Sequence, residues 1–228
     1  MRFRSVPSYE LHVLKVANGF FSNYIYMIVD RKTRYAAIID PAWEWEKITS
    51  WIIDKRAKIQ AVLLTHTHYD HIHLVESVIQ AFDAQVYVSR QEVEAYQFSS
   101  QNLQLLEAWD HIRIGDTKIE VLLTPGHTAG SVCFLLQDAL ISGDTLFAEG
   151  CGMCNFPGGD AEQMFNSLQM LKRLVPPYVR VYPGHSYGEE PGQFFEAVME
   201  RNIYLQLDKK EHFISFRMRK NQVFRNPQ

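Results

Sequence analysis

The chain has 228 residues, 46% of them hydrophobic and 13% aromatic, which excludes a disordered polypeptide, since burying that much apolar surface offsets the lost chain entropy. A formal charge of −3 argues against a dedicated nucleic-acid binder, and no apolar run approaches the ~20 residues needed to span a bilayer. Three cysteines are too few for a disulfide framework, and the opening MRFRSVPSYELHVLKV is too charged for a signal-peptide core, so a cytoplasmic location with no membrane attachment is expected.

Segments 24–30 and 35–40, rich in β-branched and aromatic residues, are predicted as paired strands. Trp45, Ile48, Trp51 and Ile52 then recur at helical spacing. The apolar run 59–64 is predicted as a buried strand, followed by a helix over 71–82 with Leu74, Val75, Val78, Ile79 and Phe82 on one face. Strand signals return at 85–88, 111–114, 117–123, 131–136 and 139–142. A helix over 160–174 starts from Asp160 as N-cap, carries the stripe Met164, Leu168, Leu171 and Leu174, and stops before Pro176 and Pro177. A strand at 179–183 and a short helical extension from about 189 complete one expected domain over 1–228. Hairpins followed by alternating strands and helices, twice over, predict two mixed sheets packed together with helices outside them.

The chemistry concentrates where strand 59–64 gives way to a helix, in Thr65-His66-Thr67-His68-Tyr69-Asp70-His71. In extended backbone, residues two apart share a side, so His66 and His68 can grip one cation, while Asp70 and His71 reach a neighbouring point from the turn. A lone histidine is usually an ordinary core or surface residue, and His12, His73, His111 and His212 are read that way. His127 in PGHTAGS, Asp144 in SGDTL and His185 in PGH each follow a strand, so candidate ligands gather at several strand ends. Five imidazoles and two carboxylates exceed one tetrahedral site. Sharing Asp144 lets two metals sit side by side. Nitrogen and oxygen donors without thiolate suit zinc, with iron or manganese as alternatives.

HTHYDH, PGHTAGS, SGDTLF and VYPGH, in this order, resemble the metallo-β-lactamase superfamily, and GDTLFAEGCG at 143–152 is similar to its glyoxalase II-like branch. The resemblance implies an αββα sandwich with metals at one edge of the paired sheets. It implies His66, His68 and His127 on one metal, Asp70, His71 and His185 on the other, and Asp144 bridging. Asp70 would also orient a nucleophilic water, and Asp40, in a segment resembling Asp-Pro-Gly but with Ala42, would orient a ligand histidine. Tyr187, Met153 and Asn155 are the candidate substrate-binding residues.

Met153 stands where the branch generally carries a basic residue that contacts glutathione, and only 43 residues follow His185. Both departures lean away from glutathione and toward phosphopantetheine, on coenzyme A or an acyl carrier protein. The sequence is also similar to stand-alone zinc hydrolases of bacterial polyketide pathways, which implies release of stalled acyl groups. From Asp208 onward six bases (Lys209, Lys210, Arg217, Arg219, Lys220, Arg225) face two acids, a basic tail over 209–225 that would suit an acidic carrier protein. The alternatives are a glutathione-thioester hydrolase and a mononuclear iron persulfide dioxygenase, the latter disfavoured by Met153. A β-lactamase is disfavoured by Asp144 and a nuclease by the acidic body. A non-catalytic module is disfavoured by the complete ligand set. Cys151 and Cys154 form a CxxC pair with no second pair to make a zinc ribbon and are read as packing residues.

Overall fold

The computed structural model describes residues 6–19 and 21–220. The first half of the chain runs β1 (Tyr9–Asn18), β2 (Phe21–Asp30), β3 (Tyr35–Ile39), α1 (Trp45–Asp54), β4 (Lys58–Leu63), α2 (Tyr69–Ile72), α3 (Val75–Phe82), β5 (Gln85–Ser89), α4 (Arg90–Tyr96) and β6 (Leu103–Leu106). Its six strands form one sheet in sequence order, antiparallel through β3 and parallel from there to β6. The second half runs β7 (His111–Ile114), β8 (Thr117–Leu123), β9 (Val132–Leu135), β10 (Ala139–Gly143), α5 (Ala161–Leu174), β11 (Arg180–Pro183), β12 (Gln193–Phe194), α6 (Phe195–Arg201), α7 (Ile203–Gln206) and α8 (Lys210–Arg217). Those strands form a second mixed sheet, with a parallel crossover through α5 between β10 and β11.

Period-two alternation explains the layering. In β2, Ile25, Met27 and Val29 pack outward beneath α1 and α3, while Tyr24, Tyr26 and Ile28 enter the space between the sheets. In the second sheet Leu122, Cys133 and Leu140 face α5 and the C-terminal helices, whereas Val121, Phe134 and Ile141 complete the central layer. The result is an αββα sandwich, as the patterning predicts. No helix among the described residues is long and apolar enough to cross a membrane.

Several elements depart from expectation. The helix expected over 71–82 is two, because the backbone N–H of Leu74 leaves the helical ladder to donate to Pro41 O. Strand β1, α4, β6 and β12 were not predicted as elements. Asp160 caps α5 as expected, accepting from the N–H groups of Glu162 and Gln163, but Leu174 at the C-terminal end of its stripe is 42% exposed. The extension past 189 begins with β12 and is interrupted at Asn202, whose amide donates to Phe147 O and Gly150 O while its Oδ1 accepts from Tyr204 N–H.

The basic tail is less of a surface than charge counting implies. Phe213 and Arg217 are four apart on α8, so both turn inward; Arg217 is 5% exposed and donates to Tyr204 Oη at 2.9 Å. Lys210 pairs with Glu162. Lys209, Arg219 and Lys220 remain exposed, and Arg225 lies outside the described residues.

Candidate metal centre

The C-terminal ends of β3, β4, β8, β10 and β11 deliver Asp40, His66 with His68, His127, Asp144 and His185 to one edge of the sandwich, and α2 adds Asp70 and His71. The donor atoms of His66, His68 and His127 lie within 4.8 Å of one another, and those of Asp70, His71 and His185 form a second such set. Asp144 stands between the two: Oδ2 lies 3.5 Å from His127 Nε2 and 3.4 Å from His185 Nε2, and Oδ1 lies 3.6 Å from His71 Nε2. All seven sequence-derived ligand candidates therefore converge.

The outward ring nitrogens are held by the scaffold. His71 Nδ1 meets Asp40 Oδ2 at 2.9 Å, His127 Nδ1 meets Met153 O at 2.8 Å, and His185 Nδ1 meets Ser22 O at 2.9 Å. Each of these contacts turns Nε2 toward the centre, the usual arrangement behind a metal-bound imidazole. Asp40 also accepts from Thr65 N–H at 2.8 Å and from its hydroxyl at 2.5 Å, fixing the strand end that carries His66. Asp40 thus sits against a ligand candidate, His71.

Close approach requires glycine behind the cluster. A Cβ on Gly184 would fall 2.6 Å from Asp144 Oδ1 and 2.7 Å from His71 Cε1.

Burial holds the His66, His68 and His127 imidazoles below their ordinary pKa, His127 down to about 4, so these three are neutral donors. Burial also opposes ionisation of Asp70 and Asp144, yet the neighbouring His185 and His71 outweigh it and hold both carboxyls below the usual range. Burial pushes the thiols of Cys133 and Cys154 up to about 11, which makes neither a ready nucleophile.

The donor set fits a metal. His66 Nε2 and His71 Nε2, which belong to these ligand sets, and Asp144 Oδ1 beside them are buried and lack a hydrogen-bond partner. Leaving a buried polar atom unsatisfied costs about 1–3 kcal/mol, and three such atoms at one spot fit the coordination of a cation.

A cavity of about 520 Å³ opens above the cluster, lined by His68, Asp70, His127, Asp144 and His185 at its floor and by Phe21, Trp43, Tyr69, Phe147, Met153, Phe156 and Tyr187 around it. Met153 and Tyr187, both substrate-binding candidates, line this cavity, with the Tyr187 ring tilted against Phe147 at 4.7 Å between centroids. Asn155 is not: it is exposed and does not line the cavity, because the turn after Cys154 brings Phe156 to the wall instead.

Sequence reasoning missed three residues. Buried Asn23 donates from Nδ2 to Asp70 O and Asp70 Oδ2, both at 3.0 Å. Trp43 donates from Nε1 to Asn23 Oδ1 at 2.8 Å. Glu92, fully buried on α4, accepts from Thr67 N–H and hydroxyl through Oε1, and from Thr128 hydroxyl and Gly130 N–H through Oε2. It ties the loop of His66 and His68 to the loop of His127. All three act across long sequence separations; the Ser89-x-x-Glu92 capping pattern was the one local signal available.

An αββα sandwich whose edge gathers histidines and aspartates in this way is that of a metal-dependent hydrolase. The sequence matches the Metallo-beta-lactamase superfamily over residues 18–185, and the chain belongs to that superfamily. It is 48% identical over 215 residues to the probable polyketide biosynthesis zinc-dependent hydrolase BaeB of Bacillus velezensis, covering 94% of this chain and 96% of that one. It is 30% identical over 199 residues to the probable hydroxyacylglutathione hydrolase glo2 of Schizosaccharomyces pombe, covering 84% and 74%. Among solved structures, ETHE1 from Myxococcus xanthus superposes with a TM-score of 0.82 at 28% identity, covering 94% of this chain and 93% of that one.

Proposed function

We propose that the protein is a dinuclear zinc thioesterase that hydrolyses acyl groups from phosphopantetheine, on an acyl carrier protein or coenzyme A, in the cytoplasmic reactions of polyketide biosynthesis. The observation that carries the thiol assignment is the cavity wall: among the described residues, no lysine or arginine lines it. Glutathione carries two carboxylates that need cationic partners, whereas the pantetheine arm is uncharged and suits aromatic walls. The likeness to BaeB supports the pathway.

His66, His68 and His127 would hold one ion, Asp70, His71 and His185 the other, with Asp144 shared. Bound there, zinc supplies a water of lowered pKa and a Lewis acid for the carbonyl oxygen. Asp70, fixed by Asn23, orients the attacking water. Met153, Phe156 and Tyr187 hold the thioester arm and exclude bulk water from the reacting carbon. Water adds to the acyl carbon, the C–S bond breaks, and the thiolate leaves without an obligatory acid because its conjugate thiol has a pKa near ~8.5. Any carrier-protein contact falls to Lys209, Arg219 and Lys220, since Arg217 is buried.

The test is hydrolysis of one acyl group presented on glutathione, coenzyme A and a carrier protein, with metal counted in the same preparation. At least about tenfold higher kcat/KM on a pantetheine thiol than on glutathione is expected. Preference for glutathione, or one iron per chain with oxygen consumption, overturns the reading. Met153→Arg should raise kcat/KM on the glutathione thioester by about tenfold, because it places a cation on the wall. No gain would show that the thiol arm runs elsewhere.

A further inference from the structure

Trp43 combines three properties that no other wall residue shares. Its backbone lies at φ +69°, the left-handed region that a bulky side chain occupies only where its surroundings over-determine it, often at functional sites. Its ring packs against Tyr69 and His73, centroids 5.8 and 5.0 Å away, and its backbone N–H donates to His73 Nδ1 at 3.3 Å. Tyr69 and His73 are four apart on one face of the turn that presents Asp70 and His71 to the metal centre, so Trp43 braces that turn from outside. Trp43 also lines the cavity, whose wall includes Phe21, Tyr69, Phe147, Met153 and Phe156.

The indole N–H does a second thing. By donating to Asn23 Oδ1, it fixes which end of that amide faces Asp70, so Nδ2 donates to the carboxylate. Without the N–H, the amide can turn and set oxygen against oxygen.

We propose that Trp43 is a specificity and positioning residue of this centre: its ring takes the apolar part of an uncharged acyl thioester, and its N–H, through Asn23, sets the Asp70 carboxylate. This rests on the thioester reading above. One contact surface thus links the filling of the wall to the alignment of a metal ligand.

The test uses zinc-loaded protein with acetyl- and octanoyl-pantetheine. Trp43→Phe keeps the wall and removes the N–H: kcat should fall about tenfold on both substrates with the octanoyl KM within about threefold of wild type. Trp43→Leu removes the wall as well, and the octanoyl KM should rise about tenfold while the acetyl KM holds. Asn23→Ser should lose kcat as Trp43→Phe does and leave the octanoyl KM unchanged. Two readouts need no turnover. A competition titration should show the weaker zinc bound about tenfold less tightly in Trp43→Phe and Asn23→Ser. S-octyl-pantetheine, a thioether that cannot be hydrolysed, should quench tryptophan fluorescence in wild type and far less in Trp43→Phe. Wild-type kcat and zinc affinity in Trp43→Phe and Asn23→Ser would overturn the positioning role. An unchanged octanoyl KM and thioether affinity in Trp43→Leu would overturn the wall. If wild type hydrolyses neither thioester while the zinc and thioether results hold, the thioesterase reading fails and the role of Trp43 stands.

Discussion

Asp144→Ala is expected to lower hydrolysis about 10³-fold or more and to leave the purified protein with one metal ion per chain or none. A thousandfold corresponds to about 4 kcal/mol of transition-state stabilisation, the scale of a lost Lewis-acid contribution. The reason is positional. Asp144 stands within 3.6 Å of the inward nitrogens of His71, His127 and His185, so it reaches into both ligand sets at once. Water entering the gap left by alanine brings dipoles but no negative charge to hold two cations close together. Metal analysis and thioester hydrolysis on one preparation check this. A variant that keeps two ions and full activity would remove the bridging assignment.

The second large effect is on stability. Glu92→Ala should cost about 3 kcal/mol or more, roughly 6–12 °C in melting midpoint for a chain of this size. The carboxylate is fully buried and accepts four hydrogen bonds from two loops, so alanine orphans the buried donors of Thr128 and Gly130 and frees the Thr67 pair. Glu92→Gln should also destabilise. Each carboxylate oxygen accepts a fixed backbone N–H, from Thr67 on one side and Gly130 on the other, so whichever way the amide turns, its NH₂ opposes a donor that cannot rotate. Zinc content should fall with either variant, since the two loops carry His66, His68 and His127. Differential scanning calorimetry decides; a midpoint shift below about 2 °C would mean that the loops hold their place without this carboxylate.

The seven ligand candidates were legible because their chemistry is dense and local. Four potential donors in six residues at a strand end have no packing explanation, and the remaining three follow strands whose apolar runs were plain. Asn23, Trp43 and Glu92 carry no such signal: their partners lie 20 to 47 positions away, and only folding places an indole against an amide or a helix carboxylate against two loops. The break between α2 and α3 was hidden for a related reason. The apolar spacing runs on without interruption, and it is the distant Pro41 carbonyl that captures Leu74 N–H and frees the first turn to aim Asp70 and His71. Asn155 failed by one position, since a turn sets neighbouring side chains on different sides. Arg217 shows the limit of counting charge, because a helix presents two faces and the sum does not say which one is wet.

The division of the chain between two sheets also divides the ligand candidates. Every strand of one sheet ends at or before Leu106, and every strand of the other begins at His111 or later. His66, His68, Asp70 and His71 come from the first portion, and His127, Asp144 and His185 from the second. Each proposed ion therefore takes two donors from one portion and completes its shell from the other, so neither portion alone is a catalyst. Ions held as proposed would double as rivets across the seam between the two portions.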